Sequence, residues 1–210
     1  LVYTTTQSGD HGTTIPNDVQ KYIAGFEDNG YVLDKAKSDV PSGATIEFNE
    51  STQTFNIYFT HGTTTTTQTS TVTQTINYQY SNGKQAATPH TATITFSRTA
   101  TRDNVTNQYT YGQWTSSTNE FPAVTSPTIT GYTASVSVVP AVTDVEEGDT
   151  IAPTTVIYTP IQESVTVKYV DDTTGQLITS VTLKGNYGST SDYSTKSAIS
   201  QLESKGYVLV

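Results

Sequence analysis

Residues 1–33 of this chain recur at residues 177–209. Displaced by 176 positions and without a gap, the two stretches share eleven identities. Leu1 meets Leu177, Thr6 meets Thr182, Gly9 meets Gly185 and Gly12 meets Gly188. Thr14 meets Thr190, Ile23 meets Ile199 and Glu27 meets Glu203, and Gly30-Tyr31-Val32-Leu33 meets Gly206-Tyr207-Val208-Leu209. Unrelated stretches of that length share roughly two. Whatever backbone one copy adopts, the other must be able to adopt as well. The chain therefore reads as a window on a tandem array of large repeats. Such arrays serve reach and multivalent binding rather than turnover of a substrate.

Composition places these repeats among folded, β-rich chains. Hydrophobic residues make up only 33% of the 210, but charged residues are also sparse at 14%, and there are 14 Tyr and 6 Phe. Disordered chains are charge-rich and poor in aromatics. Thr, Ser, Val, Ile and Tyr dominate instead, and these suit a half-buried pleated surface. A net charge of −9 argues against nucleic acid and against an anionic membrane as partners, because both need a basic face. Without cysteine there is neither a disulfide framework nor a thiolate metal site.

Three segments are expected: 1–66, 67–160 and 161–210. The run Gly62 to Ser70, with no aliphatic residue, reads as a linker between the first two. In the first segment Val19, Tyr22, Ile23 and Phe26 make one helical stripe, with Asn17 as N-cap, Gln20 in capping-box position and Gly30 as C-terminal stop. Short strands are expected at 1–7, 30–34, 44–49 and 54–60, the last apolar on both faces. One helix across a small sheet is a β-grasp-like plan. In the middle segment Val72, Ile76, Tyr78 and Tyr80 share a face, and Asn82-Gly83 signals a type I′ hairpin. Ala92, Ile94 and Phe96 alternate after it, with further strands at 107–114, 132–139 and 154–159. The last segment opens with a hairpin, 165–170 and 177–183, around Asp171-Asp172-Thr173-Thr174-Gly175. A second helix follows near Ser194, with Ala198, Ile199 and Leu202 on its stripe and Gly206 at its end.

The sequence resembles the mucus-binding (MucBP/Mub) repeats of lactobacillal surface adhesins. The motifs that carry the likeness are VTVKYVDDTTGQLI at 165–178 and KGYVL at 205–209. In the middle segment they are TVTQTINY at 71–78, ITFSRTATRDNVT at 94–106, Trp114 and FPAVTSPTITGYTA at 121–134. The resemblance implies a β-rich α+β repeat: a ubiquitin-like β-grasp module followed by a second, mainly antiparallel β module, arranged as an elongated array. It implies adhesion to mucin glycoproteins and glycans, immunoglobulin binding in some members, and an extracellular, cell-wall-anchored parent. The phase of the repeat leaves 1–66 without its opening strand and 161–210 without its closing strands, so end-to-end self-association is a further expectation.

Residue patterns argue against an enzyme. His11, His61 and His90 lack the spacing of a zinc helix, and no nucleophile elbow, phosphate loop or dinucleotide fingerprint occurs. No cofactor is implied. Asp144, Glu146, Glu147 and Asp149 are the weak metal candidates; they lack calcium-loop spacing, and a solvated loop explains them as well. Asp171 and Asp172 read as turn-formers. The sequons Asn49-Glu50-Ser51 and Asn104-Val105-Thr106 matter only in a glycosylating host.

Binding candidates sit in the middle segment. Trp114 is read as a core residue, with a sugar-stacking platform as the alternative. Strand parity then puts Tyr109 and Tyr111 on the opposite, solvent face, where exposed aromatics suit glycan or protein contact. Arg98 and Arg102, with Asp103, suit a sialylated or sulfated sugar, or alternatively a local ion pair holding the 99–106 turn. An adhesive module, a structural stalk and an immunoglobulin-binding module that offers a sheet edge are the functions in contention. Single against multiple repeats on mucin, deletion of repeats beneath a retained tip, and titration with antibody fragments separate them.

Overall fold

The computed structural model describes residues 3–49 and 52–210. Leu1 and Val2 of the expected first strand lie outside the described residues, as do Glu50 and Ser51 of the first sequon; residues 3–7 are not strand. The described residues are mostly β with two helices, and the chain divides into two compact units. The first comprises 1–71 and 95–117, the second 72–94 and 118–210. No helix among the described residues is long and apolar enough to cross a membrane.

In the first unit, helix α1 (Val19–Asp28) packs one face. Ile23 is buried, whereas Tyr22 remains exposed. Asn17 is not its N-cap, and no capping box forms; Asp18 takes the cap position without a side-chain bond. Asn17 stands one residue earlier and serves both sides, its Oδ1 accepting from the Val19 N–H at 3.3 Å and its amide donating to the carbonyls of Pro41 at 3.0 Å and Gly43 at 2.8 Å. It thereby ties the 41–43 loop to the start of the helix. The helix stops at Gly30, whose φ of +89° suits glycine and whose N–H donates to the Glu27 carbonyl.

Four short strands accompany α1. They pair antiparallel two by two: β1 (Thr14–Pro16) with β3 (Thr45–Glu47), and β2 (Tyr31–Leu33) with β4 (Phe59–His61). The expected strand 54–60 shrinks to 59–61 because a strand apolar on both faces needs both faces covered, and Phe55 and Tyr58 are exposed. Phe26 of the helix meets Phe59 at 5.1 Å and Tyr31 edge-on at 5.7 Å between ring centroids.

Gly62–Ser70 is not a linker. Strand β5 runs unbroken over Thr63–Tyr80 and is followed by β6 (Gln85–Asp103). Five successive threonines lack aliphatic character yet are β-branched, and branching at Cβ favours the extended backbone. The strand is nearly twice as long as hydrophobic alternation alone marks. The hairpin lies where Asn82-Gly83 indicates, but with a different turn. Tyr80 N–H bonds to the Lys84 carbonyl, so the loop is the three residues Ser81-Asn82-Gly83, and Gly83 alone has positive φ. Strand β7 (Tyr109–Tyr111) pairs antiparallel with β6 in the first unit.

The second unit holds the main core. Val72, Ile76 and Tyr78 on β5 are buried at alternate positions, and Ile94 on β6 is buried too. After β8 (Val124–Thr125), β9 (Tyr132–Ala134) and β10 (Val138–Val139), strand β11 (Thr154–Pro160) brings in Val156 and Tyr158. Ile76, Tyr78, Val139, Val156 and Tyr158 form one apolar cluster. The β module is not purely antiparallel, since β11 runs parallel to β5 with Thr154 opposite Ile76 and Tyr158 opposite Tyr80. The long excursion between those strands supplies the crossover a parallel pair requires.

Strands β12 (Gln162–Asp171) and β13 (Gln176–Asn186) form the expected terminal hairpin. Its turn is shaped by Asp171, which accepts from the Thr173 N–H at 3.0 Å, and by Gly175 at φ +69°. Helix α2 (Lys196–Glu203) follows, with Ala198, Ile199 and Leu202 half-buried. The two copies of the repeated stretch agree locally. Both form a helix at the same offset, and Gly12 (φ +80°), Gly188 (+74°), Gly30 (+89°) and Gly206 (+92°) repeat the same backbone turns.

Candidate functional site

Period-two alternation puts Arg98, Ala100 and Arg102 on one face of β6. Antiparallel pairing sets Tyr111 opposite Ala100 and Tyr109 opposite Arg102. The tyrosines thus lie on the arginine face, 49% and 51% exposed, with rings stacked at 6.0 Å and 10°.

Trp114 lies on the same face and not on the opposite one. Ala100 pairs with Tyr111, but Ser97 bridges to Thr115, so three steps along β6 oppose four along the returning chain. One extra residue is a bulge, and it moves every later side chain to the other face. Gly112 sits in the bulge, where a Cβ would come within 2.6 Å of Thr99 Oγ1. Trp114 is half-buried instead of a core residue.

Arg98 is the centre of the cluster. Its guanidinium carbon lies 4.2 Å from the centroid of Tyr111 and 4.5 Å from that of Trp114. Its Nε donates to Gln68 Oε1 at 3.0 Å. Tyr109, Tyr111, Arg98 and Trp114 form a continuous stack across the sheet. Each cation–π contact at such a half-open site contributes about 0.5–1 kcal/mol. Gln68 belongs to the stretch read as a linker, which is why sequence reasoning missed it. The alternation of Gln68 with Ser70 and Val72 is the signal that marks it as a strand residue.

Arg102 is engaged differently: its Nη2 donates to Asn107 Oδ1 across the 103–107 turn. The local ion pair between arginine and Asp103 does not form. Asp103 instead accepts from the N–H groups of Val105 at 2.9 Å and Thr106 at 3.0 Å, and faces His61 Nδ1 at 2.7 Å. The Thr106 N–H, then His61, hold the Asp103 carboxyl down at about 2 from an ordinary 3.8. A depressed carboxyl stabilises the fold above its unfolded value, and that contribution is lost as pH falls through the folded value. The Val105 and Thr106 amide resonances are therefore expected to titrate with a midpoint near 2, and to stop titrating there in Asp103→Asn. A midpoint at the ordinary carboxyl value would mean that these bonds do not hold in solution.

The other candidates do not assemble a site. Asp149 accepts from the Glu146 N–H at 2.8 Å and Asp144 from the Thr143 hydroxyl at 3.2 Å, so these acids shape a turn. Among the described residues no three His, Cys, Asp or Glu side chains converge as metal ligands would. His11 is exposed, His61 sits on β4 beside Asp103 and Tyr31, and His90 is half-buried on β6.

Residues 63–162 match the family described as the Muc B2-like domain, and residues 163–210 match the Mucin binding domain. Among solved structures the chain is similar to Mub-RV, at 30% identity and a TM-score of 0.59 over 73% of this chain and 88% of that one. It is also similar to a type 2 repeat of the mucus binding protein MUB from Lactobacillus reuteri, at 34% identity and a TM-score of 0.47 over 74% and 89%. A mucin-binding domain from Streptococcus pneumoniae is 29% identical, with a TM-score of 0.41 over 47% and 97%. No curated protein matches the sequence.

Proposed function

This chain belongs to the family of mucus-binding (Mub/MucBP) repeats, and from that premise we propose that it is a non-catalytic adhesion module of a bacterial surface protein, contacting mucin glycans through the Tyr109–Tyr111–Arg98 face. The observation that carries the reading is the pair of half-exposed, parallel tyrosine rings held on a strand beside a guanidinium. Flat aromatic faces suit the apolar faces of sugar rings, and the polar surroundings suit their hydroxyls. Such a face is shallow, so a single copy binds weakly. Repetition along a parent chain converts weak contacts into avidity.

Binding of the chain, as one copy and as linked copies, to immobilised mucin tests this. Linked copies are expected to bind far more tightly than one. Tyr109→Ala and Tyr111→Ala are each expected to weaken the single-copy contact roughly two- to tenfold. Tyr109→Ala, which loses the ring stacking, should cost about 0.5–1 kcal/mol of stability, and Tyr111→Ala, which also loses the Arg98 contact, about 1–2 kcal/mol, so both variants stay folded. Equal and negligible retention of one copy and of linked copies would remove the adhesion reading.

A further inference from the structure

We infer that the join between the Muc B2-like stretch and the mucin-binding stretch that follows it is a rigid socket, with Tyr187 seated on Gly131, and not a hinge. Domains on one chain move relative to one another unless something holds them. Here the residues of the join all fall within the second compact unit, and no linker intervenes. Strand β11 ends at Pro160 and β12 begins at Gln162, so Ile161 alone separates them, beside the boundary of the two family matches. That one residue is held on both sides. Its N–H donates to the Gly131 carbonyl at 2.9 Å, and its carbonyl accepts from the Tyr187 N–H at 2.9 Å. The point where the chain could bend is thus bonded to the residue before β9 and to the residue after β13.

The Tyr187 side chain fills the space that Gly131 leaves. A Cβ on Gly131 would fall inside the Tyr187 ring. Glycine is demanded there twice, by the ring and by its own φ of +80°. The ring also meets Tyr132 edge-on at 6.0 Å, and Tyr132 lies 4.7 Å from Tyr80. Both of those tyrosines pack against the apolar cluster, so the rings tie the end of the β12–β13 hairpin to the core. The internal repeat shows that the local turn does not ask for a tyrosine. Displaced by 176 positions, Tyr187 meets His11, which is exposed. The glycines that follow them, Gly188 at φ +74° and Gly12 at +80°, keep the same conformation. The turn forms without the ring, and the ring therefore serves the contact with Gly131. Such a join fixes the angle at which the next module is presented. Spacing along linked repeats is then set by structure instead of by a flexible linker, a consequence that holds whatever the repeats bind.

The chain has no cysteine, so spin labels go only where they are introduced. Thr88→Cys on β6 and Ser180→Cys on β13, both exposed, set one label on each side of the join. Pulsed electron double resonance on the full labelled chain is expected to give one narrow distance distribution. Tyr187→Ser should broaden it roughly twofold or more, as a freed join would. Tyr187→Phe keeps the ring and should leave it narrow. Gly131→Ala attacks the socket from the other side and should broaden it as Tyr187→Ser does. Amide exchange at Val156 and Tyr158 shows in each variant that the core is intact. A measurement on the unsubstituted chain stands beside the variants in case they unfold: nitrogen relaxation of β11 and of β12–β13 should give one common tumbling time. A shorter time for the hairpin, or a broad distribution in the chain that keeps Tyr187, would mean a hinge and overturn the inference. A distribution that stays narrow in folded Tyr187→Ser would overturn the role of the ring.

Discussion

Tyr158→Ala is expected to destabilise the second unit by about 3–5 kcal/mol, the range for removing a large buried ring. Tyr158 is 1% exposed and lies in the cluster with Ile76, Tyr78, Val139 and Val156. Its ring meets that of Tyr78 edge-on at 6.4 Å. The strand that carries it is hydrogen-bonded on both sides, parallel to β5 and antiparallel to β9, so the backbone cannot close in on the space left behind. Its hydroxyl donates to the Pro127 carbonyl at 2.5 Å, and burial pushes the phenol pKa above its ordinary 10. Tyr158→Phe keeps the ring and loses only that bond, at about 1 kcal/mol. Urea unfolding followed by circular dichroism reads both. A cost for the alanine variant no larger than for the phenylalanine one would mean that the ring is not packed as described.

That core was legible because β5 alternates so regularly: Val72, Ile76 and Tyr78 are recognised as one face from period two alone, and burial follows them. The helices were legible for the same reason at period 3.6, reinforced by the glycines that end them. Polar strands were not. Thr63 to Ser70 has the branched side chains of a strand and none of the hydrophobicity, so a reading that weights hydrophobicity cuts β5 in half. The apolar run at 54–60 misled in the opposite direction. Hydrophobic content says that a segment has something to bury, and only the tertiary structure says whether anything is there to cover it.

The candidate face shows a different limit. Parity singles out Tyr109 and Tyr111, and charge singles out Arg98, but parity holds only while the ladder is regular. One bulged residue near Gly112 reverses it and brings Trp114 beside the tyrosines. A glycine within an aromatic strand is the sequence trace of such a bulge. It becomes informative only when pairing on the partner strand is known. Asn17 shows the same limit: its oxygen meets the first helical N–H, at Val19, but its amide is turned to a loop two dozen residues away, which local sequence does not reveal.

The internal repeat supplies its own control for the second large effect. Gly30→Ala is expected to cost about 2–5 kcal/mol, and Gly206→Ala, its counterpart in the other copy, only about 1–2. Both glycines end a helix at nearly the same positive φ, +89° and +92°. An alanine at either position pays the left-handed backbone penalty, about 1–2 kcal/mol. At Gly206 a Cβ would meet nothing within 4 Å. At Gly30 it would lie 2.6 Å from the Asn104 carbonyl oxygen and 2.8 Å from the Asn104 Cβ. That backbone is not free to retreat. Asn104 N–H donates to the Gly62 carbonyl at 2.9 Å, Gly62 N–H donates back to the Gly30 carbonyl at 2.8 Å, and Thr64 holds the Asn104 side chain at 2.8 Å. Overpacking against a pinned backbone adds about 1–3 kcal/mol. Amide exchange at Leu33 and at Ile199 in the native protein reads the two units separately. Equal costs at the two glycines would mean that the Asn104 turn yields, and that the helix and the end of the hairpin in the first unit are not locked together there.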